Sequence, residues 1–166
     1  MNNNDTRSKI LHILRTNARL TDEQIGAMLG LSAAQVKAEI NAMEAEGIIV
    51  GFSAIINEEE HDKNAVTAVI NLKTSPQMEN GYDVIARKVS QYTQVDSIQL
   101  MSGGNYDLAV TVKCDNFRDV AEFVANNLAG MDGVLSTSTH FILQRFKEKG
   151  VLFNPDADDE RGLVSP

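Results

Sequence analysis

Cysteine is nearly absent: Cys114 is the only one in 166 residues, which excludes an internal disulfide and a cysteine-rich metal site. Between Leu108 and Cys114 the chain reads as a strand, with the thiol as a packing group. Histidine is scarce as well, and His12, His61 and His140 stand at no metal-ligand spacing, so no zinc site is expected. No apolar run approaches the roughly 20 residues that cross a bilayer, and the polar start from Met1 to Arg7 lacks the apolar core of a signal peptide. A cytoplasmic protein with no membrane partner is the expectation. The chain has no phosphate-loop or serine-elbow motif and no catalytic pair of carboxylates, so neither an enzyme nor a cofactor is expected. Positive charge is also in short supply. The net charge is −8, and residues 1–60 hold five Lys and Arg against nine Asp and Glu.

Against this background, residues 20–50 read as a helix, a tight turn, a second helix and a strand. Thr21 with Gln24 three residues on makes a capping box, and Ile25, Met28 and Leu29 then fall on one face. Gly30 stops that helix, Ser32 caps the next, and Val36, Ile40 and Met43 recur at i, i+4, i+7 before Gly47. A preceding helix over roughly 5–16, with Ile10, Ile13 and Leu14 inward, completes a three-helix core. Gly51 between two apolar runs, 48–50 and 52–56, predicts a small hairpin or wing. The layout is that of a DNA reader. Its exposed face offers Gln35, Lys37, Ala38, Glu39, Asn41 and Ala42, residues 1–60 carry a net charge of −4, and acidity opposes approach to phosphates.

Residues 57–64 form a charged connector, in which Glu58, Glu59 and Glu60 read as a solvated run. Beyond it the period changes. A strand over 65–72, a loop over 74–81, a helix over 82–92, strands over 95–102 and 106–113 around Gly103-Gly104-Asn105, a helix capped by Asp115 or Asn116 carrying Phe117, Val120, Val124 and Leu128, and a long strand over 134–146 make β-α-β-β-α-β. The fold class is therefore α+β, a winged helix-turn-helix followed by a ferredoxin-like βαββαβ domain. The expected domains are 1–56, a linker over 57–64, 65–153, and an acidic disordered tail over 154–166. The second face of the sheet, with Val69, Ala109, Ile142 and Phe146 among Thr67, Asn71, Thr111, Ser136 and Gln144, suits a partner sheet, and a homodimer is expected.

Gly30-Leu-Ser32 at the turn, Glu44-Ala-Glu-Gly-Ile-Ile49 before the wing, and Ser102-Gly-Gly-Asn-Tyr-Asp107 in the βαββαβ domain together resemble the Lrp/AsnC, or feast/famine, regulators over residues 7–153. The resemblance implies a RAM-type C-terminal domain, dimers paired through their sheets and assembled into octamers, double-stranded DNA as partner, and a small effector such as an amino acid bound between dimers near the β-hairpin turn. Carried over, it places the reading helix at about 32–46, with DNA-binding Ser32, Gln35, Lys37 and Asn41. Members commonly show basic residues where this chain has Ala38, Glu39 and Ala42, a serious departure. The effector residues it points to are Met101, Gly103, Gly104, Asp107, Ser136, Thr137 and Thr139, with Asp107 facing an ammonium. A bland reading stands beside this: Gly103-Gly104 merely closes a hairpin, and Asp107 is an edge residue.

Three functions follow. The first is a transcriptional regulator whose paired heads bind successive major grooves and whose oligomer responds to a metabolite. The second is an oligomeric ligand-sensing or protein-interaction module whose head no longer binds DNA. The third, ranked last, is a protein resembling tetrapyrrole decarboxylases of the siroheme type, against which the acids around His61 speak.

Overall fold

The computed structural model describes residues 3–75 and 81–153. The tail expected over 154–166 and most of the loop expected over 74–81 lie outside the described residues. The chain forms two compact units, one gathering residues up to Ile55 with the segment from Phe146 on, the other spanning Ile56–Arg145.

In the first unit, α1 (Asn3–Thr16), α2 (Asp22–Leu29) and α3 (Ala33–Ala45) pack around Ile10, Ile25, Val36 and Met43, all fully buried. Leu11, Ile13, Leu14, Leu29, Ile40 and Ile49 pack against this core. Met28, expected inside, is 62 % exposed. The inward face of α2 is rotated towards Gly26, which lies against the following turn: Leu31 N donates to Gly26 O at 2.9 Å, and a Cβ on Gly26 would sit 2.5 Å from Leu31 O. Alanine in a helix interior ordinarily stabilises by about 1 kcal/mol relative to glycine. Here the methyl meets backbone, so Gly26→Ala is expected to destabilise the head by about 1–3 kcal/mol through overpacking. Thermal unfolding checks this, and a variant as stable as the parent refutes the close approach.

The expected wing strands do not form a ladder, since residues 49–57 carry no strand. The physical reason lies at the end of α3. Ile48 N and Ile49 N both donate to Met43 O, at 2.8 and 3.1 Å, and Gly47 takes the left-handed φ of 70° that this closure needs. Those amides are thereby occupied, and Ile49 turns into the helical core while Val50 is 94 % exposed.

The second unit holds a short helix α4 (Glu58–His61), β1 (Val66–Thr74), α5 (Gly81–Val89), β2 (Val95–Leu100), β3 (Leu108–Cys114), α6 (Phe117–Phe123) continued by a π-turn (Val124–Leu128), and β4 (Val134–Phe141). The antiparallel sheet runs β2-β3-β1-β4. Alternation on β1 sends Val66, Ala68, Ile70 and Leu72 into the core with Ile85, Val89, Val110, Val112 and Val120. Cys114 joins them, and burial, followed by the charges of Asp119 and Asp115, pushes its thiol pKa up, as suits a packing group. Asn116 caps α6 through Asp119 N at 3.0 Å. The wider π-turn brings Leu128 under the same face as Phe123, five residues earlier, and both are buried; Phe117, expected inside, is 57 % exposed at the start of α6, its ring against Phe141 at 4.8 Å.

The long strand expected over 134–146 is broken. β4 ends at Phe141, where its partner β1 runs out: Ala68 pairs with Phe141 and Ile142 N makes a last bond to Thr67 O at 2.9 Å. A separate hairpin follows, β5 (Lys147–Glu148) and β6 (Val151–Leu152), turned by Lys149 and Gly150 at φ 46° and 92°. Two successive positive φ values are the signature of a tight two-residue hairpin turn.

Candidate DNA-reading face and effector site

Two reciprocal capping boxes set the helix-turn-helix. Thr21 accepts from Gln24 N while Gln24 Oε1 accepts from Thr21 N at 2.9 Å. Ser32 and Gln35 repeat the arrangement on α3, where Gln35 Oε1 accepts from both Ser32 N and Ser32 Oγ, at 2.9 and 3.0 Å. The sequence carries that second box as plainly as the first, and it engages Gln35, which the family resemblance places against DNA. Its acceptor oxygen is already occupied, which leaves the side-chain NH2 as its available donor.

With Val36 and Met43 buried, the outward face of α3 is Ala34, Lys37, Ala38, Asn41, Glu44 and Ala45, all exposed, with Ala42 half-buried. Glu39 does not belong to this face. Arg7 on α1 reaches across and donates Nε to Glu39 at 2.8 Å and its two terminal nitrogens to Glu46 at 2.8 and 3.0 Å. The Glu46 fork, then the bond to Glu39, raises the Arg7 pKa, and the same contact lowers that of Glu46. α3 has no basic residue in its last turn, where a helix favours positive charge, and Arg7 supplies one from another helix. No local spacing announces this, because the partners lie 32 and 39 residues apart.

In the second unit the proposed effector residues separate. Gly103 and Gly104 turn at φ 87° and 80° with open space around them, between β2 and β3. Lys73 pairs with Ser136 and Asn71 with Ser138, whereas Leu72 pairs with Thr137 and Ile70 with Thr139. Ser136 thus lies on the open face, and Thr137 and Thr139 on the helix-covered face. Asp107, assigned to an ammonium, already has three donors: Thr74 N at 2.8 Å, Thr74 Oγ1 at 3.1 Å and Lys73 Nζ at 3.1 Å. The Thr74 amide, helped by the Lys73 and Thr74 side-chain bonds and opposed by desolvation, leaves its pKa below the usual carboxylate range. Its backbone joins in, accepting from Met101 N at 2.7 Å and donating to Leu72 O at 2.9 Å. Asp107 locks the base of the glycine turn to β1.

Glu58 is likewise more than a solvated linker residue. Lys113 donates to it at 3.1 Å and pairs with Asp96 at 3.2 Å. Desolvation opposes the charge on Lys113, but the two carboxylates outweigh it and the pKa is raised.

One cleft, of about 490 Å³, opens between α5 and the edge strand β2. Tyr82, Asp83 and Arg87 line its helix side, Ser97 and Leu100 its strand side, with Leu108 beside them. Leu100 and Leu108 are paired neighbours at the two ends of the glycine turn. None of the helix-side residues stood out in sequence, because Asp83 and Arg87 sit where a helix favours negative and positive charge in any case.

Comparison with known proteins bears on both units. Residues 67–152 match the family model of the Lrp/AsnC ligand binding domain, and residues 3–50 that of a winged helix-turn-helix DNA-binding domain. An uncharacterised HTH-type transcriptional regulator of Bacillus subtilis, YugG, is 39 % identical over 163 residues, 98 % of each chain. The regulator LrpA of Pyrococcus abyssi is 33 % identical over 144 residues, 86 % of this chain and 99 % of that one. Among solved structures, Escherichia coli AsnC superposes with a TM-score of 0.68 at 19 % identity, over 89 % of this chain and 96 % of that one. A Neisseria meningitidis regulator solved with L-methionine gives 0.71 at 22 %, over 86 % and 91 %. These last two similarities establish the fold.

Proposed function

Since the chain belongs to the Lrp/AsnC family of HTH-type transcriptional regulators, we propose that α3 is its reading helix, that Asn41 and Lys37 are its principal DNA contacts, and that an amino acid is its effector. The observation that carries this is the Arg7 fork on Glu39 and Glu46, which engages two of the three acids between Ser32 and Glu46 and leaves Glu44 as the exposed one. Asn41 presents donor and acceptor together, the pattern that pairs with an adenine edge in the major groove, and Lys37 meets phosphate. Ser32 and Gln35 act chiefly by holding the helix N-terminus in shape, with its free amides and the Gln35 NH2 turned to a phosphate. No member of this set supplies the bidentate Arg contact that reads guanine, so single heads bind weakly and paired heads compensate through high effective concentration.

For the second unit, the turn from Met101 to Asp107, with Gly103 and Gly104 allowing close backbone approach, is the responsive element. The open sheet face, carrying Val69, Asn71, Ala109, Thr111 and Ser136, pairs two copies, and the dimers assemble further, to an octamer as in the family. Ligand binding that favours one assembly changes DNA affinity, and DNA changes ligand affinity by the same factor. The site of action is the cytoplasm.

Selection of genomic fragments by the purified full chain tests the regulator reading. No sequence-selective retention at low or moderate salt, with or without amino acids, overturns it. Lys37→Glu is expected to weaken retention of all fragments alike by tenfold or more and to flatten the salt dependence by about one phosphate contact or more. Unchanged affinity removes Lys37 from the interface.

A further inference from the structure

We infer that the β5–β6 hairpin is a second DNA contact of the reading head, standing in for the wing that residues 49–57 do not form and meeting backbone phosphates through Lys147 and Lys149. This rests on the DNA-binding reading above and adds a sequence-independent contact to that of α3.

The hairpin follows β4 in the chain, yet from Phe146 onward it belongs to the compact unit of the three helices and not to the unit of the four-stranded sheet. Among the described residues, the strand ladder of that unit is β5 with β6. Lys147 pairs with Leu152 and Glu148 with Val151, and Phe153 N donates to Phe146 O at 3.1 Å, which lengthens the ribbon at its base and leaves Lys149 and Gly150 at its tip.

The tip departs from what the turn alone asks for. A two-residue turn with both φ positive favours Asn-Gly or Asp-Gly, whereas lysine takes the first position here: Lys149, at φ 46°, is the one non-glycine residue with positive φ among the described residues. The left-handed region crowds a Cβ against the backbone, and a residue held there points to a use for its side chain. Lysine within a ladder also blunts edge pairing, which accounts for Lys147 alone; Lys149 lies outside the ladder. Both lysines are exposed, and neither has an ion-pair partner among the described residues.

Charge selects the partner. Residues 1–60 carry a net charge of −4, and the outward face of α3 sets Lys37 beside the exposed Glu44. A head so short of cations holds a duplex only with positive charge brought from elsewhere, and two lysines on an open ribbon meet phosphates without reading bases. Phe146, Val151 and Leu152 are exposed on the same hairpin, so pairing with a second copy is the rival outcome.

Retention of DNA by the full chain across a salt series is the test, with Lys147→Gln and Lys149→Asn made together. Asn before Gly150 suits the turn better than lysine does, so both charges go while the hairpin stays, and thermal melting should show a variant as stable as the parent. Affinity is expected to fall about tenfold or more at low salt for selected and unrelated fragments alike, and the salt dependence to flatten by about two phosphate contacts per head. Lys149→Arg, which keeps the charge, should bind as the parent does. Parent-like affinity and salt dependence in the double variant overturn the hairpin contact and leave α3 as the reader. A loss of affinity accompanied by a changed oligomeric state in sedimentation assigns the hairpin to a subunit interface and overturns it as well. A parent chain that retains no DNA overturns both readings.

Discussion

Arg7→Ala is expected to lower DNA retention on the order of tenfold at low salt, with the gap narrowing as salt rises and screening shortens to a Debye length of about 8 Å at physiological ionic strength. The variant loses one positive charge and leaves Glu39 and Glu46 without the fork that engages them at 2.8 to 3.0 Å. Two carboxylates on the reading helix are then free to repel phosphates. The alternative is that Arg7 itself touches DNA, and the two separate by rescue. Adding Glu39→Gln and Glu46→Gln to Arg7→Ala restores retention if Arg7 works by neutralising these acids, and fails to restore it if Arg7 is a phosphate contact. Filter retention across a salt series reads both, with circular dichroism to show that α1 and α3 remain folded.

Asp107→Ala is expected to cost the sheet unit about 2–3 kcal/mol, because the amide and hydroxyl of Thr74, which is only 2 % exposed, lose a charged acceptor. The bond to the more exposed Lys73 adds little. For a unit of this size the midpoint should fall by roughly 10 °C or more. The effect depends on pH in a fixed sense. The folded pKa is held below the unfolded value of about 3.9, so the stabilisation is fully present above that value and is lost as pH falls through the folded pKa. Asp107→Asn retains an oxygen for the Thr74 amide and should fall between parent and alanine variant. Below about pH 4, its stability should decline less steeply than the parent's. Melting curves from pH 7 down to pH 3 decide the matter, and a parent and Asp107→Asn variant that lose stability in parallel rule out the lock.

Much of the architecture was legible in the sequence, because the signals involved act over three or four residues. Thr21 with Gln24 and Ser32 with Gln35 satisfy helix N-termini within their own turns. Val36, Ile40 and Met43 repeat with the helical period, and Val66, Ala68, Ile70 and Leu72 with the period of a strand. Gly103-Gly104 marks a turn wherever it occurs between strands. Sequence and structure part where a local signal meets competing partners: Ile48 and Ile49 after Gly47 give their amides to Met43 O, and the final strand ends where β1 offers nothing further to pair with.

By itself, then, the sequence determined the two-domain build, the family and the shortage of positive charge on the reading helix, all properties of neighbouring residues or of composition. Tertiary structure alone decided what those charges do. It put Arg7 on Glu39 and Glu46, filled Asp107 with donors from β1, separated Ser136 from Thr137 and Thr139 across the sheet, and brought Asp83 and Arg87 to one cleft. The physical reason is range: a cap or a period is closed within one turn of chain, whereas an ion pair spanning more than 30 residues exists only once packing has brought its partners together.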